Sequence, residues 1–336
     1  ESRFGMQPTL KDVAKLAGVS FTLVSKYLNR NPQARMTPET RERIDRAIAE
    51  LGYRPSAAAR SLRRGCTRTL GLVIGNLTNA YFAHFADAAL REANTAGYQL
   101  LISLCGEGET GEALQSLLDR QADAILCNAP LEPADPAALQ LCARGTLLAI
   151  TDQVQAGIPS AGIDLKQPLC EAVAWFRARN HATVTGLFFE HSSWPEEFRE
   201  ACEANAVAPR IAIIPMEEEQ RMDALRAICR TAPGAILTNG WQTTTMLLEL
   251  LAEEFPGYHP EIVLHCNFAG PFLRDPHIAG VIHSSSRALI HEAVAALIHR
   301  LDDPAHPVAD LQLPAEFLPR DLFSSKLPIP ARLSLT

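Results

Sequence analysis

Between Thr9 and Asn29 the apolar positions fall on a helical repeat: Leu10, Val13, Ala14 and Ala17, then Val24 and Leu28 after a break at Gly18. This predicts two short helices around a tight turn. Thr9 is placed as the first N-cap, with Asp12 three residues on to answer it, and Ser20 as the second. Thr37-Pro38-Glu39 reads as the start of a third helix. Its apolar set is Ile44, Ala47, Ile48 and Leu51, and Gly52 ends it. Ser56 to Gly65 is alanine-rich and predicts a further helix, too short to stand alone in water.

From Thr69 the period changes. TLGLVIGN is a short apolar run bounded by turn signals, as a buried parallel strand requires. Helical and strand patterns then alternate. Helices are predicted at 81–96, 112–121, 137–144, 168–179, 195–205, 218–230, 243–254 and 287–301. Strands are predicted at 98–104, 124–127, 147–151, 184–189, 211–214, 235–238 and 262–265. Two successive βα runs imply two doubly wound parallel-sheet lobes side by side, whose ligands bind at the carboxyl ends of the strands. The expected organisation is a small all-α helix-turn-helix head at 6–54, a hinge helix and linker at 55–68, a two-lobed α/β core at 69–324 and a tail at 325–336.

Charge changes the picture. The net charge of −7 argues by itself against nucleic acid. Residues 1–68, however, hold 14 lysines and arginines against six aspartates and glutamates, a net +8, leaving −15 for the rest. A basic head on an acidic body is the footprint of a DNA-binding module joined to something else. No apolar run approaches the roughly 20 residues of a membrane helix. The eight cysteines are scattered without a CxxC pair, and no export signal opens the chain. Reduced thiols in a cytoplasm are therefore expected. The ten histidines show no zinc-ligand spacing, so neither a metal nor a cofactor is predicted.

On the second helix, Phe21, Thr22, Ser25, Lys26 and Asn29 are left outside the apolar face. These side chains can donate to phosphates or reach base edges, and Phe21 offers an apolar surface to a thymine methyl. The bland alternative is the solvated face of an ordinary helical hairpin. No GxGxxG follows a strand, and neither a Walker A motif nor a nucleophile elbow occurs, so an enzyme is not expected.

TLKDVAKLAGVS…VSKYLN, continued by TPETRERIDRAIAELGYRPSAAARSL, resembles the LacI/GalR family of bacterial transcription repressors, with weaker echoes through the core to about Asp321. The resemblance implies a periplasmic-binding-protein-like core. It also implies a homodimer on a near-palindromic operator and a small effector, a sugar or sugar derivative, between the lobes. By position it assigns base reading to Phe21, Thr22 and Lys26, and phosphate contact or helix support to Thr9, Ser20, Ser25 and Asn29. It assigns the hinge helix to Ser56, Ala59 and Leu62, with Leu62 at the minor-groove wedge, although Leu62 could equally pack on its neighbour. Lys26 stands where many relatives carry arginine and lacks that residue's bidentate fork. The expected effector contacts are Tyr81, Phe82, Asp152, Trp194, Asn239, Trp241 and Phe268. Here the family's usual arginine and aspartates are replaced by Trp194, Gly240 and Phe268. The tryptophans present aromatic faces for stacking, or else belong to the core. A transport protein with the same core conflicts with the helical head. A DNA-binding regulator with a degenerate cleft, controlled by a protein partner or by abundance, is the alternative.

Overall fold

The computed structural model describes residues 8–29, 35–54, 65–106, 108–132, 134–151, 157–189, 192–215, 217–267 and 270–327. The hinge positions Ser56, Ala59 and Leu62 and the cleft positions Asp152 and Phe268 lie outside them. The chain divides into two compact units, Glu1–Arg68 and Thr69–Thr336.

The first unit contains helices α1 (Leu10–Ala17), α2 (Phe21–Leu28) and α3 (Pro38–Leu51). Val13, Ala14, Ala17, Val24, Ile44 and Ala47 form its buried cluster, flanked by Leu10, Tyr27, Leu28, Met36 and Ile48. Thr9 and Asp12 make a reciprocal capping box. The Asp12 amide donates to Thr9 Oγ1 at 3.4 Å, and the Thr9 amide donates to Asp12 Oδ2 at 2.8 Å. The Thr9 hydroxyl also donates to that carboxylate, which holds the Asp12 carboxyl below its ordinary range. Gly18 and Gly52 end α1 and α3 at φ 63° and 59°, a left-handed conformation that costs other residues steric strain. Across the unit, Tyr27 Oη donates to Asp45 Oδ1 at 2.7 Å, tying α2 to α3.

The second unit contains two six-stranded sheets. In the first lobe are β1 (Thr69–Ile74), β2 (Gln99–Leu104), β3 (Ala124–Asn128), β4 (Leu147–Ile150) and β5 (Ser160–Asp164), with α4 (Ala80–Thr95), α5 (Thr110–Asp119) and α6 (Pro136–Arg144). In the second are β6 (Thr183–Phe189), β7 (Ala208–Ile214), β8 (Ala235–Thr238), β9 (Glu261–Cys266) and β10 (Ile278–His283), with α7 (Lys166–Ala178), α8 (Trp194–Ala204), α9 (Glu218–Arg230) and α10 (Trp241–Glu253). The chain then returns. Helix α11 (Ser286–Asp302) packs Leu289, Ile290, Ala293 and Val294 on the first lobe's core, and β11 (Leu311–Pro314) pairs with β5. β12 (Glu316–Pro319) joins β10 antiparallel, ahead of the short α12 (Phe323–Lys326). The sheet orders are β11-β5-β4-β3-β1-β2 and β12-β10-β9-β8-β6-β7. β1 is buried along its whole length, and so are β4 and β8, because helices cover both faces of a doubly wound sheet.

The alternating pattern places eight of the core strands and all eight longer helices to within a few residues. It misses β5, β10, β11 and β12. β11 and β12 are four-residue segments ending in proline, which suppresses the strand signal. These four strands matter because three chain crossings join the lobes: β5 to α7, β10 to α11 and β11 to β12.

Candidate nucleic-acid interface and ligand cleft

In the head, α2 buries Val24 and turns its other side outward. Phe21 is 50% exposed and Thr22 is exposed, while Ser25 and Lys26 are partly so. Ser20 Oγ accepts from the Leu23 amide at 3.2 Å, which caps α2 and fixes its start. The Asn29 side-chain amide donates to the Ser25 carbonyl, closing the last turn. Thr9, Ser20 and Asn29 therefore support the helices with their side chains, whereas Phe21, Thr22 and Lys26 form the outward set. Lys11, Lys15, Arg35, Arg41, Arg43 and Arg46 are exposed elsewhere on the same unit and supply positive charge.

In the core, the carboxyl ends of the strands carry the polar groups. Asn79 caps α4, its Oδ1 accepting from the Tyr81 amide at 2.9 Å. The same side chain spans the lobes. Its Oδ1 accepts from Trp241 Nε1 at 3.1 Å, and its Nδ2 donates to Gln242 Oε1 at 3.4 Å. Trp241 and Gln242 open α10, whose start is pinned by Thr244 Oγ1 donating to the Gly240 carbonyl at 2.8 Å. Asn128, at the end of β3, donates to Tyr81 Oη at 2.8 Å. Phe82 packs beside Tyr81, ring centroids 5.1 Å apart. Across the cleft, Asn239 donates to Ser192 Oγ at 3.4 Å. Thus Tyr81, Phe82 and Trp241 of the expected contacts are brought together around Asn79, and Asn239 stands at the end of β8 in the opposite lobe.

Trp194 is a correction. It is 1% exposed and belongs to the second lobe's core with Phe188, Phe198 and Val263, leaving no face for a stacked ligand. Its ring lies 4.9 Å from that of His265, which is hydrogen-bonded to Ser284 Oγ at 2.9 Å. Burial pushes the His265 imidazole down to about 4, with His283 adding to the effect, so the ring is neutral. Two further groups are not marked by the sequence around them. Gln242 lies 163 positions from its partner Asn79. Arg221 is 3% exposed on α9. Its Nε donates to the Pro215 carbonyl at 3.0 Å, and its guanidinium lies 5.4 Å from the Phe189 ring centroid.

The Asn79 bridge makes a prediction. Trp241→Phe with Gln242→Ala removes both lobe-two partners and keeps the α4 cap. At about 1 kcal/mol for each hydrogen bond, the pair should shift the closed-to-open balance roughly 5- to 30-fold. Solution scattering should register a larger radius of gyration in the double variant. An unchanged profile would show that the bridge does not hold the lobes.

The comparisons with known proteins bear on both parts, the helical head and the two-lobed α/β core. Residues 9–56 match the model of the bacterial regulatory proteins of the lacI family. It is 39% identical over 131 residues to the catabolite repressor/activator of Escherichia coli K12, a match covering 38% of this chain and 39% of that protein. The matched segment thus spans about two fifths of the curated relative. The fold of the Lac repressor dimer bound to operator and an anti-inducer is similar at a TM-score of 0.76 and 21% identity, over 93% of this chain and 97% of that one. Cra from Pseudomonas putida in complex with fructose 1-phosphate is similar at 0.66 and 18%, over 75% of this chain and 98% of that one. Among the described residues no helix is long and apolar enough to cross a membrane.

Proposed function

We propose that this protein is a sequence-specific, non-enzymatic DNA-binding transcription regulator, acting as a repressor. The observation that carries the reading is the outward face of α2, with Phe21 and Thr22 exposed and Lys26 partly so, on a head whose sequence matches the lacI family. A homodimer would present two such helices to the two halves of a near-palindromic operator, each in a major groove. Ser56, Ala59 and Leu62 would complete the contact through the hinge. A cytoplasmic site of action follows from the DNA partner.

Control is assigned to a small metabolite between the lobes, a sugar or sugar derivative. Tyr81, Phe82, Asn239 and Trp241 would contact it, with Asp152 and Phe268. Amide, phenol and indole groups at the strand ends suit a ligand rich in hydroxyls, and neighbours in fold are seen with cellobiose and with fructose 1-phosphate. The effector must bind the DNA-competent and DNA-incompetent arrangements with different affinity, because a ligand with equal affinity for both shifts nothing.

The test is operator selection with the full chain, followed by Lys26→Ala. If Lys26 reads a base, the substitution should relax preference at one operator position by about 1–3 kcal/mol, roughly 5- to 150-fold. Equal weakening on every operator variant, with a shallower salt dependence, would make Lys26 a phosphate contact instead. Failure to select any sequence would remove the proposal itself.

A further inference from the structure

The sequence carries no familiar metal-ligand spacing, yet the end of α11 brings together His299, Asp303 and His306. One ligand atom from each lies within 4.8 Å of the others. We propose that these three residues form a binding site for a borderline transition-metal dication such as Zn²⁺, Ni²⁺ or Cu²⁺, on the first lobe and built entirely by one turn of chain.

Local structure preorganises the triad. His299 lies in the last turn of α11, and the Asp303 amide donates to the His299 carbonyl at 2.8 Å, closing the helix. The His306 amide then donates to the Asp303 carbonyl at 2.9 Å, folding the chain back over the helix end. Asp303 Oδ1 accepts from the Ala305 amide at 3.1 Å, which fixes the carboxylate and leaves its second oxygen for a ligand. The two imidazoles end with centroids 4.1 Å apart. Pro304 and Pro307 bracket this turn and restrict its backbone. The helix end itself is held, since Arg300 donates to the Arg144 carbonyl at 2.8 Å.

The chemistry selects the ion. Two imidazoles and one carboxylate suit zinc, copper or nickel better than magnesium or calcium, which take oxygen ligands. A dication with bonds near 2.1 Å holds its donors about 3–4 Å apart, so small rotations of exposed side chains suffice. The carbonyl end of α11 adds partial negative charge. With three protein ligands, water would complete the shell. The bound ion would tie the α11 end to the segment leading into β11, one of the strands flanking a lobe crossing.

All three residues are exposed, so His299→Ala and His306→Ala should fold normally. Titration calorimetry of the tag-free full chain with Zn²⁺ should show one equivalent in the parent. Either variant should lose it, or weaken it by at least the roughly 10- to 100-fold that removal of even an outer partner costs a metal site. Paramagnetic resonance of the Cu²⁺-loaded chain should show coupling to two imidazole nitrogens. Unchanged stoichiometry and affinity in both variants, or a thiolate signature from the cysteines, would overturn the assignment.

Discussion

Ile44→Ala is expected to unfold the head and abolish operator binding while the core melts as before. Ile44 is fully buried on α3, in one cluster with Val13, Ala14 and Ala17 of α1 and Val24 of α2. Truncating a buried isoleucine costs about 2–5 kcal/mol, from lost burial and the cavity left behind. A unit of roughly 45 residues commands only about 2–7 kcal/mol in total at ordinary stability per residue. The substitution therefore removes most or all of what holds α2 in place. The core keeps its own clusters, centred on Leu70, Leu126 and Val294 in one lobe and on Ile236, Leu264 and Phe198 in the other. Calorimetry should show the head transition lost and the core transition unmoved, with rapid proteolysis confined to the head. Retained operator affinity would mean that α2 is held by something other than this cluster.

The features legible in the sequence are the local ones. Thr9 with Asp12, Ser20, and Thr37 with Pro38 mark helix starts through contacts three residues long, and the structure has a cap at each. Helix α9 spans the residues its pattern predicts, because a 13-residue amphipathic segment closed by Arg230 carries its own boundaries. The uneven charge was likewise readable by counting. What escaped depends on distant partners. Gln242 gains a role only because Asn79 meets it across the lobes, and no periodicity in α4 or α10 encodes that encounter. The crossing at β11–β12 depends on two four-residue strands whose stability comes from β5 and β10 beside them. His299 and His306 are seven residues apart, yet their meeting required the chain to reverse after α11, a turn that spacing alone does not announce. Trp194, which the sequence leaves open between stacking and core, is decided by packing in the same way. A tryptophan at the first position of a helix near a strand end can face the cleft or the core, and only the packed neighbours decide.

Trp194→Ala should therefore act first on stability and only secondarily on effector binding. The indole is 1% exposed, with ring centroids 6.3 Å from Phe188 and 4.9 Å from His265. Truncating such a buried tryptophan costs about 3–5 kcal/mol. Trp194→Phe, which keeps an aromatic body and leaves a smaller void, should cost clearly less. A residue that stacked a ligand would behave in the opposite way, losing affinity while the melting point held. His265 supplies an independent readout. Its imidazole sits near 4 chiefly because burial disfavours the charged form. Opening a cavity where the indole stood admits water, so the histidine should titrate closer to its ordinary value of 6.5 in Trp194→Ala, as NMR of its ring protons would show. A lowered folded-state value means that acidification weakens the fold between about pH 6.5 and pH 4, since the unfolded chain takes up the proton first. That acid sensitivity should shrink in the variant as the two values converge. If Trp194→Ala leaves both the core's melting point and the His265 titration unchanged, the side chain does not do what its burial implies, and the stacking role returns.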